Sequence, residues 1–147
     1  MILYKKIGIA SDHAGFERKE QVKKFLIENG LTVTDYGTNN EERCDYPDYG
    51  HKLADSVAKG VNEMGIAVCG SGNGINMTVN KHNGIRGALC WSKEISELAR
   101  QHNDANICSL PGRFITPEQA FEIVKTFLST KFDGGRHKDR IDKIPQC

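Results

Sequence analysis

The sequence predicts a three-layer α/β fold, with one parallel five-stranded sheet held between helices. Three observations carry this. Short β-rich runs alternate with helical patterns along the chain, their connections are short, and the run MGIAVCG (64–70) is apolar without a break. Alternating strand and helix signals indicate crossover units, and an uninterrupted apolar strand fits a sheet covered on both faces.

The first element is IGIAS (7–11), a strand. Residues 15–28 place Phe16, Val22, Phe25, Leu26 and Ile27 at roughly helical spacing and stop at Asn29-Gly30, a good C-terminal signal. LTVTDY (31–36) alternates as a strand does, and a polar loop then runs through Glu41, Glu42 and Arg43 to Pro47. A helix is expected over 49–59, closed by Gly60. After the third strand, MGIAVCG, a short helix starts near Asn73. IRGALCW (85–91) is the fourth strand. Ser92 caps the helix that follows, with Glu94 and Glu97 early and Arg100 late, as the helix dipole favours. ANICSL (105–110) is the fifth strand, and Thr116-Pro117-Glu118 opens another helix. The tail, 134–144, reads as a very polar C-terminal helix. No linker, repeat or low-complexity stretch interrupts this order, so residues 1–147 are expected to form one domain.

Composition narrows the function. Twenty Lys plus Arg nearly balance nineteen Asp plus Glu in 147 residues. There is no strongly basic field for nucleic acid or an anionic membrane. No apolar stretch reaches the roughly 20 residues that span a bilayer, and the N-terminus lacks a secretory layout. The expected setting is cytoplasmic. Five widely spaced cysteines without a CxxC pair argue against a zinc or disulfide framework. Cys90 and Cys108 read as small buried hydrophobes.

In sheets of this kind, sites form at the carboxyl ends of the strands. The segments grouped with those ends are Asp12-His13-Ala14-Gly15, Cys69-Gly70-Ser71-Gly72-Asn73-Gly74, His102-Asn103 just before the fifth strand, and Gly112-Arg113, with Arg136, His137 and Arg140 in the tail. Glycines at 70, 72 and 74 permit positive φ and close backbone approach. Successive N–H groups ahead of a helix make an anion cradle. The spacing is not GxGxxG and no GK[ST] follows, so a nucleotide-phosphate loop and a plain structural turn remain alternatives. Cys69 has no role in either. A thiol beside such donors is activated, and it can attack a carbonyl or take a proton from a neighbouring carbon while the cradle holds the oxyanion. His13 and His102 are candidates for proton traffic, whereas His51 and His82 have no chemical neighbours in sequence. Arg113, Arg136 and Arg140 with His137 suit a phosphate, although a solvated basic helix explains the tail as well.

The motifs SDHAGF, DYGT, DYPDY, CGSGNGI, NKHNGIRGALC, ARQHNDANI and GGRHKDRI occur in this order from residue 11 to residue 141. In this the chain resembles the type B ribose-5-phosphate isomerases, within the wider ribose and galactose isomerase group. The resemblance implies a Rossmann-like domain. The implied reaction interconverts D-ribose 5-phosphate and D-ribulose 5-phosphate through a cis-enediol, without metal or cofactor. It further implies Cys69 as the base, with Ser71 and the amides of Gly70, Gly72, Asn73 and Gly74 at the oxyanion. His102 would open the sugar ring with Asp12 near the ring hydroxyls, and Tyr46 and Asn103 would contact the sugar. His13, Arg113, Arg136, His137 and Arg140 would hold the phosphate. A homodimer is implied, with pairing into a tetramer as a further possibility. Six-carbon sugar phosphates, a nucleotide module and an inactive assembly subunit are the competing readings.

Overall fold

A computed structural model describes residues 1–146. The elements run β1 (Lys6–Ser11), α1 (Phe16–Glu28), β2 (Thr32–Asp35), α2 (Tyr46–Ala58), β3 (Met64–Cys69), α3 (Asn73–Val79), β4 (Gly87–Leu89), α4 (Lys93–Asn103), β5 (Ile107–Pro111), α5 (Pro117–Ser129) and α6 (Arg136–Ile141). All strand pairings are parallel, in the order β2-β1-β3-β5-β4.

The central strands earn their place by having no polar face. All six residues of β3 and all five of β5 are buried, because helices cover both sides. Val22 and Leu26 of α1, Ala99 of α4 and Ile123, Val124 and Phe127 of α5 pack on one face. Leu53, Ala54 and Val57 of α2 and Ile75 and Val79 of α3 pack on the other. Side chains alternate along a strand, so Ile66 and Val68 enter the first layer and Ala67 and Cys69 the second.

Three expectations change, one of them the polar tail, whose helix covers Arg136–Ile141 and not the whole of 134–144. The fourth strand is three residues long, not seven. It is an edge strand paired with β5 alone, so it has only one ladder to extend it. The second helix starts at Tyr46, ahead of the expected 49, with Pro47 in its first turn. Proline lacks an N–H that the first turn does not need, so Pro47 belongs to the helix and not to the loop before it. Cys90 and Cys108 are both fully buried. Burial, then the neighbouring Cys90 sulfur, pushes the Cys108 thiol well above the usual thiol range. Cys147 lies outside the described residues. No helix among the described residues is long and apolar enough to cross a membrane.

Candidate active site

The chain leaves β1 toward β2 on one side, while β3 lies on the other. The crevice between the carboxyl ends of β1 and β3 is therefore the topological switch point, where ligands bind in open α/β sheets. Asp12 follows β1 there, and Cys69 ends β3.

Backbone hydrogen bonds fix this edge. Asp12 donates its N–H to Val68 O at 3.3 Å, Gly112 donates to Cys69 O at 2.9 Å, and Arg113 donates to Gly70 O at 3.0 Å. The Asp12 carboxylate accepts the Gly15 N–H at 3.0 Å and is 7% exposed. Gly15 lies so close to β3 that a Cβ there would sit 2.5 Å from Val68 O. Gly72 has φ +77°, and a Cβ on it would lie 2.5 Å from Leu89 Cδ1 and 3.0 Å from the Leu110 carbonyl carbon. The Tyr46 ring lies against Gly74, filling the space a Cβ would need. Ser71 Oγ accepts the Asn73 N–H at 3.3 Å, and both residues are exposed. Arg113 reaches over Gly70, its guanidinium 3.4 Å from where a Cβ would be. His13 Nδ1 lies 3.2 Å from Cys44 O, joining the end of β1 to the loop before α2.

Cys69 is 4% exposed and packs with Ala67, Leu53 and Ile75. The sulfur is thus set into the apolar α2–α3 layer, deeper than the open mouth the sequence suggests. The strand register decides this, since Cys69 falls on the same face as Ala67.

The second group is elsewhere. His102 and Asn103 end α4, and a crossover helix ends where the next strand begins. They lie at the amino edge of the sheet, opposite Cys69, with the length of β5, roughly 15 Å, between the two edges. Grouping His102 and Asn103 with the carboxyl-edge residues is corrected by this placement within one chain. His102, Asn103, His137, Arg140, Ile141 and Ile144 line one cavity of about 360 Å³. The His102 and His137 rings stack with centroids 4.3 Å apart and planes 12° from parallel. Partial desolvation, then His102, Arg136 and Arg140, holds the His137 imidazole below its ordinary value, against a raising pull from Asp133. Arg136 starts α6, so it shares this amino-edge element with His137 and Arg140.

Several structural residues escaped the sequence reading. Lys19 is fully buried, its Nζ 2.6 Å from Asp35 Oδ2. Its spacing from Phe16, Val22 and Leu26 places it on the apolar stripe of α1, which was the available signal. Arg86 ties down the end of α4, donating to Asn103 O, to Asp104 O and to the Asp104 carboxylate. Arg18 donates to Ile115 O at 2.8 Å and so braces the turn that carries Arg113. His51 and His82 have each other as neighbours, Nδ1 to Nε2 at 2.8 Å, a pairing across α2 and the end of α3 that their sequence surroundings do not announce.

Fold and site together define an α/β/α protein with a glycine-rich loop at its switch point and a buried cysteine immediately before that loop. Residues 7–144 match the Ribose/Galactose Isomerase family. The chain belongs to this family. It is 45% identical over 139 residues to the probable ribose-5-phosphate isomerase B of Mycoplasma pneumoniae, covering 94% of this chain and 91% of that one. It is 41% identical over 140 residues to ribose-5-phosphate isomerase B of Escherichia coli, covering 95% and 94%. Its structure is similar to that of a ribose 5-phosphate isomerase from Thermotoga maritima, with TM-score 0.96, 52% identity and coverage of 99% and 100%. It is also similar to ribose-5-phosphate isomerase B from Mycoplasma genitalium with bound ribulose-5-phosphate, with TM-score 0.90, 42% identity and coverage of 94% and 92%.

Proposed function

We propose that this chain, acting as one catalytic domain, interconverts D-ribose 5-phosphate and D-ribulose 5-phosphate. The observation that carries the reading is Cys69 at the end of β3, followed at once by the glycine loop in the switch-point crevice. The match in fold to an isomerase that holds ribulose-5-phosphate adds to it.

The chemistry follows from the geometry. The C2 proton of an open-chain aldose is weakly acidic, so a base is effective only where the resulting charge is held. The Cys69 sulfur, as thiolate, takes the C2 proton. The C2–H electron pair becomes the C1–C2 double bond, and the former carbonyl pair moves onto O1. The amides of Gly70, Gly72, Asn73 and Gly74 and the Ser71 hydroxyl surround that enediolate oxygen, and such donors typically contribute about 3–4 kcal/mol each. The O2 proton passes to O1, and as the O2 pair forms the C2 carbonyl the C1–C2 pair takes the proton back from the Cys69 thiol at C1, which gives the ketose and restores the thiolate. Nothing is consumed, so the reaction needs no cofactor. The buried setting of the thiol keeps water away from the enediolate.

The remaining roles fall on two chains. Within one chain, Asp12, His13, Tyr46 and Arg113 stand near Cys69. His102, Asn103, Arg136, His137 and Arg140 stand at the far edge of the sheet. A homodimer that brings the far edge of one chain over the glycine loop of the other unites them. There His102 moves the proton that opens the furanose ring, Asp12 and Asn103 meet the sugar hydroxyls, and the arginines with His13 and His137 hold the phosphate. Such a dimer can pair again into a tetramer. The polar, cofactor-free metabolic role fits a cytoplasmic enzyme.

The test is turnover of ribose 5-phosphate by the purified chain and by Cys69→Ala. The parent isomerises the sugar; the variant loses about 10²–10⁴-fold in kcat, the range of general-base catalysis, and still binds the sugar phosphate. Equal turnover by the variant overturns the assignment of the base. Parallel assays with allose and galactose 6-phosphates show whether a six-carbon substrate is preferred.

A further inference from the structure

We propose that His102, Asp133 and His137 form a reversible inhibitory site for a divalent transition-metal ion of the zinc, cobalt or nickel type. One ligand atom from each of the three residues lies within 4.8 Å of the other two. They come from three segments that the fold draws together: the last turn of α4, the link between α5 and α6, and the first turn of α6. Asp133 is anchored to the end of α4, donating its N–H to Gln101 O at 3.0 Å. The two imidazoles are stacked, 4.3 Å between centroids and 12° from parallel, so one ring turns out of the stack before both nitrogens can face a single ion.

An ion with bonds of about 2.0–2.2 Å places its donors roughly 3–3.5 Å apart. Turning one imidazole out of the stack, with donor shifts of roughly 1–1.5 Å, closes the observed set to that spacing. Two imidazole nitrogens and one carboxylate oxygen are a borderline donor set, which favours zinc, cobalt or nickel over magnesium or calcium. Three protein ligands leave further positions to water. Arg136 and Arg140 stand near His137, and their charge opposes a cation, offset in part by Asp133. The ion is therefore a displaceable inhibitor and not a resident group.

The inhibitory consequence rests on the isomerase reading above. A bound ion occupies the His102 lone pair needed for ring opening and removes His137 from the phosphate. Ion and sugar phosphate thus exclude one another. The ligands all lie on one chain, so the site holds one ion per chain.

The test is titration of the full chain with Co²⁺, followed by its visible spectrum, alongside isomerase assays with Zn²⁺ and a chelator. One Co²⁺ binds per chain, with weak d–d bands and no thiolate-to-cobalt band. Asp133→Asn weakens Co²⁺ binding by at least about tenfold, the scale on which lost support of a metal site is felt, while its chelator-treated turnover equals the parent's. His137→Gln weakens Co²⁺ binding as well. Zn²⁺ inhibits the parent, the chelator restores it, and sugar phosphate protects it. Co²⁺ affinity unchanged in both variants, or a thiolate-to-cobalt band, overturns the site. Co²⁺ binding through Asp133 in a chain without isomerase activity leaves the site standing and removes the functional reading. Isomerase activity with metal binding indifferent to Asp133 removes the site alone.

Discussion

The two edges of the sheet are built differently. At the carboxyl edge, the cradle is made of main chain locked to main chain: β1 bonded to β3, and the turn after β5 bonded to Cys69 and Gly70. Gly15, Gly72 and Gly74 sit where no Cβ fits, and Cys69 is buried. At the amino edge, the cluster is made of side chains on helix ends, with Asn103, Arg136 and Arg140 exposed. In the proposed reaction the first region supplies the charge-stabilising donors, with Arg113 and His13 as its groups for a phosphate. The second supplies the proposed phosphate and ring-opening groups but neither the proposed C2 base nor a glycine loop. Under the proposed reaction each region carries the half of the chemistry that the other lacks, which is the physical argument for the proposed two-chain site.

The largest effect expected from breaking the first region without touching the sulfur is at Gly72. Gly72→Ala imposes a positive φ on an L-residue, costing about 1–2 kcal/mol, and drives a methyl into Leu89 and the Leu110 backbone. Such overpacking costs about 1–3 kcal/mol more. Displacing the cradle by about 1 Å lowers kcat on the order of 10²-fold. Thermal unfolding and steady-state kinetics measure the two losses. Parent-like values in both would mean that the loop is not the rigid element described.

A smaller effect, on stability, is expected beneath the same edge. Gly37 donates to Asp35 Oδ1, while the Ser11 N–H donates to Gly37 O and the Thr38 N–H to Ser11 O, tying the 35–38 turn to β1. Burial raises the Asp35 carboxyl, but the hydrogen bonds from Lys19 and Lys23, with the Gly37 N–H, outweigh it and leave the group below its ordinary value. A depressed carboxyl stabilises the fold above its unfolded value, near 3.8. That stability is lost as pH falls through the lower folded value. Asp35→Asn leaves Lys19 with Glu20 at 3.4 Å as its remaining carboxylate. The expected cost at neutral pH is about 3 kcal/mol, the lower end for a broken buried pair. Denaturant unfolding should show that cost at pH 7 and a narrower gap from the parent below pH 4. A constant gap across pH would exclude the ion pair as its source.

The same contrast explains what the sequence discloses. The carboxyl edge is legible because its determinants are local: a cysteine closing an apolar strand, glycines at fixed offsets, Asp12 straight after β1. The strand order is not legible, since it lies in pairings between distant segments. β4 is shorter than its apolar run because an edge strand has one partner. The neighbours of His102 in sequence lead toward β5, and only the direction of α4 shows that it stands at the strand's beginning. Asp133 carries no signal at all, because its meeting with His102 and His137 depends on how the α5–α6 link folds back onto α4.

The account's central claim is that one catalytic site draws Cys69 from one chain and His102 from another. Cys69→Ala and His102→Ala chains, each nearly inactive alone, can be unfolded together in equal amounts and refolded. Random pairing makes half of the dimers mixed, and each mixed dimer carries one intact site of its two, so the account predicts recovery of about a quarter of parental activity. A mixture no more active than the sum of its two components would contradict it.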